Sequence, residues 1–142
     1  MTIQQIVSAR DRGVVSIGAA DAVRTAVSRL AEERIGALPV IDGGRPVGVF
    51  SERDLLRCVH ELGPAALDRS VADSMTAPAI TVRPDTGVLV ALSLMTRRRV
   101  RHLPVVDADG VLIDFISIGD LVKFRMDRIE SEASALRDYI AG

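Results

Sequence analysis

At 142 residues, with 48% hydrophobic and 26% charged positions, the sequence has the composition of one globular domain rather than of a disordered chain. A net charge of −1, with three Phe, one Tyr and no Trp, argues against a general phosphate-backbone binder and against a base-stacking platform. The single Cys58 forms no internal disulfide, two histidines make no metal cluster, and no run approaches the ~18 apolar residues of a spanning helix.

The opening residues Met1 to Gln5 carry no positive side chain and start no apolar run, so no secretion signal is expected and a cytoplasmic protein is the default. Val14-Val15-Ser16-Ile17 reads as a short strand. Asp21 is placed to cap a helix whose apolar positions Val23, Ala26, Val27 and Leu30 follow at helical spacing, ending at Gly36. Ala37 to Ile41 reads as a buried strand, Asp42-Gly43-Gly44 as a hairpin turn, and Val47 to Phe50 as its partner strand. Ser51 caps the next helix, Glu52 to about Glu61. Gly63-Pro64 and Ala77-Pro78 punctuate a connecting segment, within which Val71 to Met75 form a further helical turn. Ala79 to Val82 (strand), Thr86 to Arg98 (helix), Arg101 to Val106 and Val111 to Ile116 (strands) repeat the order. A last helix runs from Gly119 to about Ile140.

That order is a duplication. Leu38-Pro39-Val40-Ile41-Asp42 returns as Leu103-Pro104-Val105-Val106-Asp107, an offset of 65, and the same register matches Ile17 with Val82, Val23 with Val88 and Leu30 with Met95. After the aspartate the register slips by one, and Ser51, Asp54 and Leu55 meet Ser117, Asp120 and Leu121 at an offset of 66. A slip confined to a Gly/Asp turn is what a duplicated unit shows, because turns tolerate insertions and packed elements do not. Neither unit has enough apolar surface to cover its own sheet, so one shared core is expected.

Gly36-Ala37-Leu38-Pro39-Val40 with Gly48 to Asp54, and Arg101-His102-Leu103-Pro104-Val105 with Phe115 to Asp120, resemble tandem cystathionine-β-synthase (CBS) domains over residues 3 to 125. The resemblance implies an α/β (α+β) fold of two β-α-β-β-α units related by a pseudo-twofold axis, with a long C-terminal helix added. The expected divisions are 1–62, a connector 63–78, a second unit 79–125 and a helical extension 126–142. The resemblance also implies a homodimer, and clefts between units that take an adenine nucleotide.

In such a cleft Asp54 and Asp120 would accept bonds from ribose hydroxyls, with Ser51 and Ser117 alongside. The same pairs also satisfy a plain capping box, in which Ser accepts the amide of the third helical residue and Asp complements the helix dipole. The first strands, Ser16 and Ile17 in one unit and Ile80, Thr81 and Val82 in the other, would line the adenine slot, although an isolated Ser or Thr in such a run also serves as an ordinary strand residue. Ala37, Pro39 and Pro104 on the inner strands complete the expected sites. Arg101 precedes an inner strand and suits phosphate through its guanidinium fork, with His102 assisting. Gly36 stands at its place in the first unit, so phosphate charge there must come from elsewhere, for which Arg53 is the candidate. Arg97 and Arg98 read as a solvated helix end. Asp114, aligned with Gly48, brings bulk and charge where the family prefers glycine.

No nucleophile, base or phosphate-cradling loop occurs at a recognised spacing, so the chain is not expected to be an enzyme. The reading is a sensor of an adenine nucleotide (AMP, ADP, ATP or NAD) that signals to an effector protein, with neither nucleic acid nor membrane as partner. The alternative is a constitutive dimeric adaptor with vestigial clefts. In the last helix Val122, Met126, Ile129, Ala133, Leu136 and Ile140 form a heptad seam expected to face a second subunit, although a helix laid on its own domain would satisfy the same stripe.

Overall fold

A computed structural model describes residues 1–8 and 13–142. Its elements are α1 (Ile3–Ser8), β1 (Ile17–Gly18), α2 (Val23–Glu33), β2 (Ala37–Asp42), β3 (Arg45–Ser51), α3 (Glu52–Leu62), a 3-10 turn (Gly63–Asp68), α4 (Val71–Ser74), α5 (Val88–Arg98), β4 (His102–Val106), β5 (Leu112–Ser117) and α6 (Ile118–Ala141). The architecture is mixed α+β, two repeats with small sheets and a long C-terminal helix. None of the helices among the described residues is long and apolar enough to cross a membrane.

Each unit is organised around a hairpin. In the first, β2 pairs antiparallel with β3 through Leu38–Phe50 and Val40–Gly48, and β1 joins in parallel with Ile17 opposite Val40. Gly43 and Gly44 make the tight turn at φ 60° and 80°, a left-handed conformation that side-chain-bearing residues resist. In the second unit β4 pairs with β5 through Leu103–Ile116 and Val105–Asp114. The expected strand at 79–82 reduces there to one parallel bridge, Val82 to Val105, in the same register as Ile17 to Val40. Pro78 and Pro84 flank that stretch and have no N–H to give a ladder. The expected strand at Val14 likewise shortens to Ile17–Gly18.

Two helix ends differ from expectation. Asp21 does not cap α2; the N-cap is Ala22, and the Asp21 carboxylate accepts the Gly18 N–H at 2.9 Å instead. The helix ends at Arg34 in the left-handed region (φ 54°), two residues before Gly36, and α5 ends in the same way at Arg99 (φ 55°).

The buried residues form two cores rather than one. Ile17, Val23, Leu30, Leu38, Val40 and Phe50 pack with Val71, while Val82, Val88, Met95, Leu103, Ile116 and Leu121 pack with Ile3 and Ile6. The reason is an exchange of short helices. α1 precedes the first unit but docks on the second, where the Ile3 N–H donates to the Thr86 carbonyl and Val88 N–H to the Met1 carbonyl. α4 precedes the second unit but docks on the first, through Val71 N–H to Asp21 and Val23 N–H to Arg69. Each exchanged helix supplies the apolar cover that a single unit lacks, so each sheet closes its own core. The units meet at their hairpin tips, where Leu112 N–H donates to the Gly44 carbonyl and the Arg45 guanidinium to the Asp109 carbonyl at 2.9 Å.

Candidate functional site

Both capping boxes form, and they fix the two carboxylates of the candidate site. Ser51 N–H donates to Asp54 Oδ2 at 2.8 Å while Ser51 Oγ receives the Asp54 N–H; Ser117 and Asp120 repeat the arrangement at 2.8 and 3.0 Å. Asp54 is 2% exposed, and its other oxygen accepts the Thr76 hydroxyl at 2.7 Å and faces the Arg57 guanidinium at 3.2 Å. With the Ser51 hydroxyl also donating at 3.0 Å, all of the roughly four acceptor positions of this carboxylate are engaged within the chain. Thr76 reaches it because the connector runs along β3, exchanging two backbone bonds of 2.9 Å with Val49. The close approach is made possible by Gly48, where a Cβ would lie 2.7 Å from the Thr76 carbonyl oxygen.

A cleft of about 570 Å³ opens over this corner, within the size range that holds a nucleotide-sized ligand. Ser51, Arg53 and Asp54 of the first unit meet Ile80, Arg101 and His102 of the second in its lining, so the cleft is shared between units. Gly36 and Arg53 lie in this same cleft as Arg101. Arg53, the candidate for phosphate charge in the first unit, therefore shares one cleft with Arg101. Arg98, expected to be a solvated helix end, lines the cleft together with Arg99.

A second cleft of about 320 Å³ brings Ser117 and Asp120 together with Ala37 and with Val14 and Val15. Asp114 is 8% exposed and part of this lining, its carboxylate accepting the Phe115 N–H at 2.7 Å. The position that bears Gly48 in one unit thus puts a carboxylate into the other unit's cleft.

The remaining expected residues lie elsewhere. Ile17 and Val82 are core side chains, Pro39 and Pro104 are buried within their strands, Thr81 is exposed, and the Ser16 carbonyl accepts the Arg29 guanidinium at 2.6 Å. Thr76, Arg57 and Arg99 also line the larger cleft, and of these only Arg99, which continues Arg97 and Arg98, has a local signal in the sequence.

His102 borders both clefts. Its ring stacks on Phe115 with centroids 5.2 Å apart and planes 14° from parallel. Burial holds its pKa below the ordinary imidazole value, and Arg101 acts in the same direction, while Asp120 and Glu52 oppose.

Comparison with known proteins places this geometry. A family model for the CBS domain matches twice, at residues 6–61 and 69–127. A mitochondrial CBS domain-containing protein of Arabidopsis thaliana is 38% identical over 127 residues, covering 86% of this chain and 61% of that protein. The chain spans less than two thirds of the length of this and two further relatives, 63% and 59% of which it covers. Among solved structures, a CBS-domain protein of Burkholderia ambifaria superposes with a TM-score of 0.82 at 38% identity, covering 89% of this chain and 95% of that one. A CBS-domain protein of Pyrobaculum aerophilum, solved in complex with AMP, gives 0.73 at 32% identity, covering 84% and 89%. Two matched repeats, each closed by its neighbour's short helix around a shared cleft, make this chain a member of the CBS-domain family.

Proposed function

We propose that this chain is a regulatory module that binds an adenine nucleotide, of AMP, ATP or NAD type, in the larger cleft and passes its occupancy to a partner protein. The observation that carries this reading is the composite lining. Ile80 and Arg101 of the second unit offer an apolar surface and a phosphate donor, and the Ser51–Asp54 corner of the first offers acceptors beside them. A ligand that bridges them favours one inter-unit arrangement over another, which is the differential affinity that signalling requires. The AMP complex of the Pyrobaculum relative supports the ligand class. Homodimerisation through α6 belongs to the same reading, because its apolar seam lies on the surface.

A second reading, a constitutive adaptor with vestigial clefts, is favoured by one observation: the Asp54 acceptors are already engaged by Ser51, Thr76 and Arg57. Thermal-shift measurement with adenosine, AMP, ADP, ATP, NAD and S-adenosylmethionine separates the two. A ligand specific for the folded state stabilises it by about 2.7 kcal/mol at 100 times its Kd. No shift with any compound favours the adaptor.

A further inference from the structure

The larger cleft is strongly basic in a way that folding does not require. Of the arginines that line it, Arg57 is committed to Asp54 at 3.2 Å and to the Ser74 carbonyl at 3.0 Å. The guanidinium groups of Arg53, Arg98, Arg99 and Arg101 make no ion pair or hydrogen bond among the described residues, and Glu52 is the one lining carboxylate left to oppose them. Four guanidinium groups against one carboxylate leave an excess of positive charge around a common space.

The duplication supplies an internal control. At the 65-residue offset, Arg98 corresponds to Glu33 and Arg101 to Gly36, while Arg99 corresponds to Arg34. α2 and α5 nevertheless end in the same left-handed turn, at φ 54° and 55°. A helix that terminates identically after Glu32-Glu33 shows that this turn does not need basic residues at the two positions before the cap, which is arginine in both repeats. The charge at Arg98 and Arg101 is thus an addition made to one cleft, where Arg99, common to both repeats, joins it in the lining, and it calls for an anion.

Resting on the nucleotide reading above, we infer that the larger cleft selects a nucleoside carrying two or more phosphates over a monophosphate or a cationic adenosine derivative, with Arg98 and Arg99 as the residues that set this preference. A single phosphate group carries about −1.5 to −2 at neutral pH, too little to match the uncompensated guanidinium groups, and each added phosphate supplies further charge and further oxygens for bidentate contact. Arg53 and Arg101 approach from different units, so a chain of phosphates also has more than one side to engage.

Titration calorimetry on the full chain with adenosine, AMP, ADP, ATP and S-adenosylmethionine tests this. ADP and ATP should bind at least about tenfold tighter than AMP at low salt, with the margin narrowing as salt screens it, and S-adenosylmethionine should bind no better than adenosine. Arg98→Glu, which installs the residue of the other repeat, should weaken ATP by more than about tenfold and adenosine by less than about twofold. Arg99→Gly relieves the left-handed backbone, so it should raise the melting temperature while it weakens ATP, a combination that a structural role for Arg99 does not produce. If adenosine and AMP bind but ADP and ATP bind no tighter, or if Arg98→Glu weakens adenosine and ATP alike, this inference falls and the nucleotide reading stands. If no compound binds, both fall.

Discussion

The Thr76 hydroxyl donates to Asp54 Oδ1 at 2.7 Å, from a connector residue to the carboxylate that opens α3 of the first unit. This contact ties the segment leading into the second unit to the corner expected to hold a ribose. It makes Asp54 a structural residue first, since a buried carboxylate is stable only while its donors are present. A ribose hydroxyl that bonds Asp54 Oδ1 would compete with Thr76, and displacing Thr76 would move the connector. Ligand and inter-unit geometry are then linked through a single oxygen.

The first prediction separates the two roles. Asp54→Ala strands the Thr76, Ser51 and Arg57 donors and should cost about 1–3 kcal/mol of stability. Thr76→Val removes one donor only and should cost about 0.5–1.5 kcal/mol while leaving a lone pair free toward the cleft. Adenosine should bind the Thr76 variant at least as tightly as wild type. Chemical denaturation gives the stabilities and calorimetry the affinities; weaker adenosine binding by the Thr76 variant would show that Asp54 is not the ribose acceptor.

Gly48 carries a second prediction. A Cβ there would sit 2.6 Å from Met75 Sδ and 2.7 Å from the Thr76 carbonyl oxygen, and the latter is backbone held by the Val49 bonds. Gly48→Ala should destabilise by about 1–3 kcal/mol through this overlap. Gly36→Ala is the control, because its nearest contact is the Glu52 carboxylate at 3.8 Å, ordinary packing distance. Equal urea midpoints for the two variants would mean that the connector yields without cost.

How far the sequence reveals this site depends on the range of the interactions. The hairpins are legible because Asp42-Gly43-Gly44 and Asp109-Gly110 specify turns locally, and both capping boxes because Ser and Asp act on the same helical turn. That Arg53 and Gly36 share a cleft with Arg101 is not legible, because the repeat shows which residues are equivalent, not which unit they face. The docking of Ile3 and Ile6 on the second core was invisible for the same reason: an amphipathic pair signals burial but not against what. Thr76 gave no signal, since a hydroxyl reaching 22 residues back to Asp54 has no periodicity. Asp21 failed as a cap by one position, a margin that local rules do not resolve.

His102 gives a third prediction, in pH. Burial keeps its folded-state pKa below 6.5, so the unfolded chain takes up a proton at a pH where the folded chain does not. Its contribution to stability is complete above 6.5 and declines as pH falls through that value. His102→Gln should therefore show a shallower loss of stability than wild type between about pH 7 and pH 5, as followed by urea midpoints. An anionic ligand in the larger cleft would raise this pKa, so binding near pH 6 should draw protons from the buffer. Identical pH profiles for the variant and wild type would place the depressed group elsewhere.

The last prediction concerns α6, whose 24 residues extend for about 36 Å. Leu121 is its buried residue, and Phe124 and Arg125 are half-buried; farther along, Ile129, Leu136 and Ile140 are 49%, 59% and 75% exposed. A helix laid on its own unit would bury that seam, so the own-domain explanation for the heptad spacing does not hold beyond the first turns. A 3,4-spaced apolar stripe in water is best covered by the same stripe of a second copy, knobs into holes. Truncation after Arg128 leaves every buried residue of the two cores in place and removes, besides the seam, the exposed Arg128–Glu132 pair (3.6 Å), itself worth about 0–1 kcal/mol. The truncated chain should keep the wild-type thermal transition at high concentration and dissociate to monomer at concentrations where wild type remains dimeric. Sedimentation equilibrium measures this directly. An unchanged dimerisation constant would move the contact to the outer faces of α3 and α5, where Leu56, Leu89 and Val90 are 72%, 59% and 59% exposed.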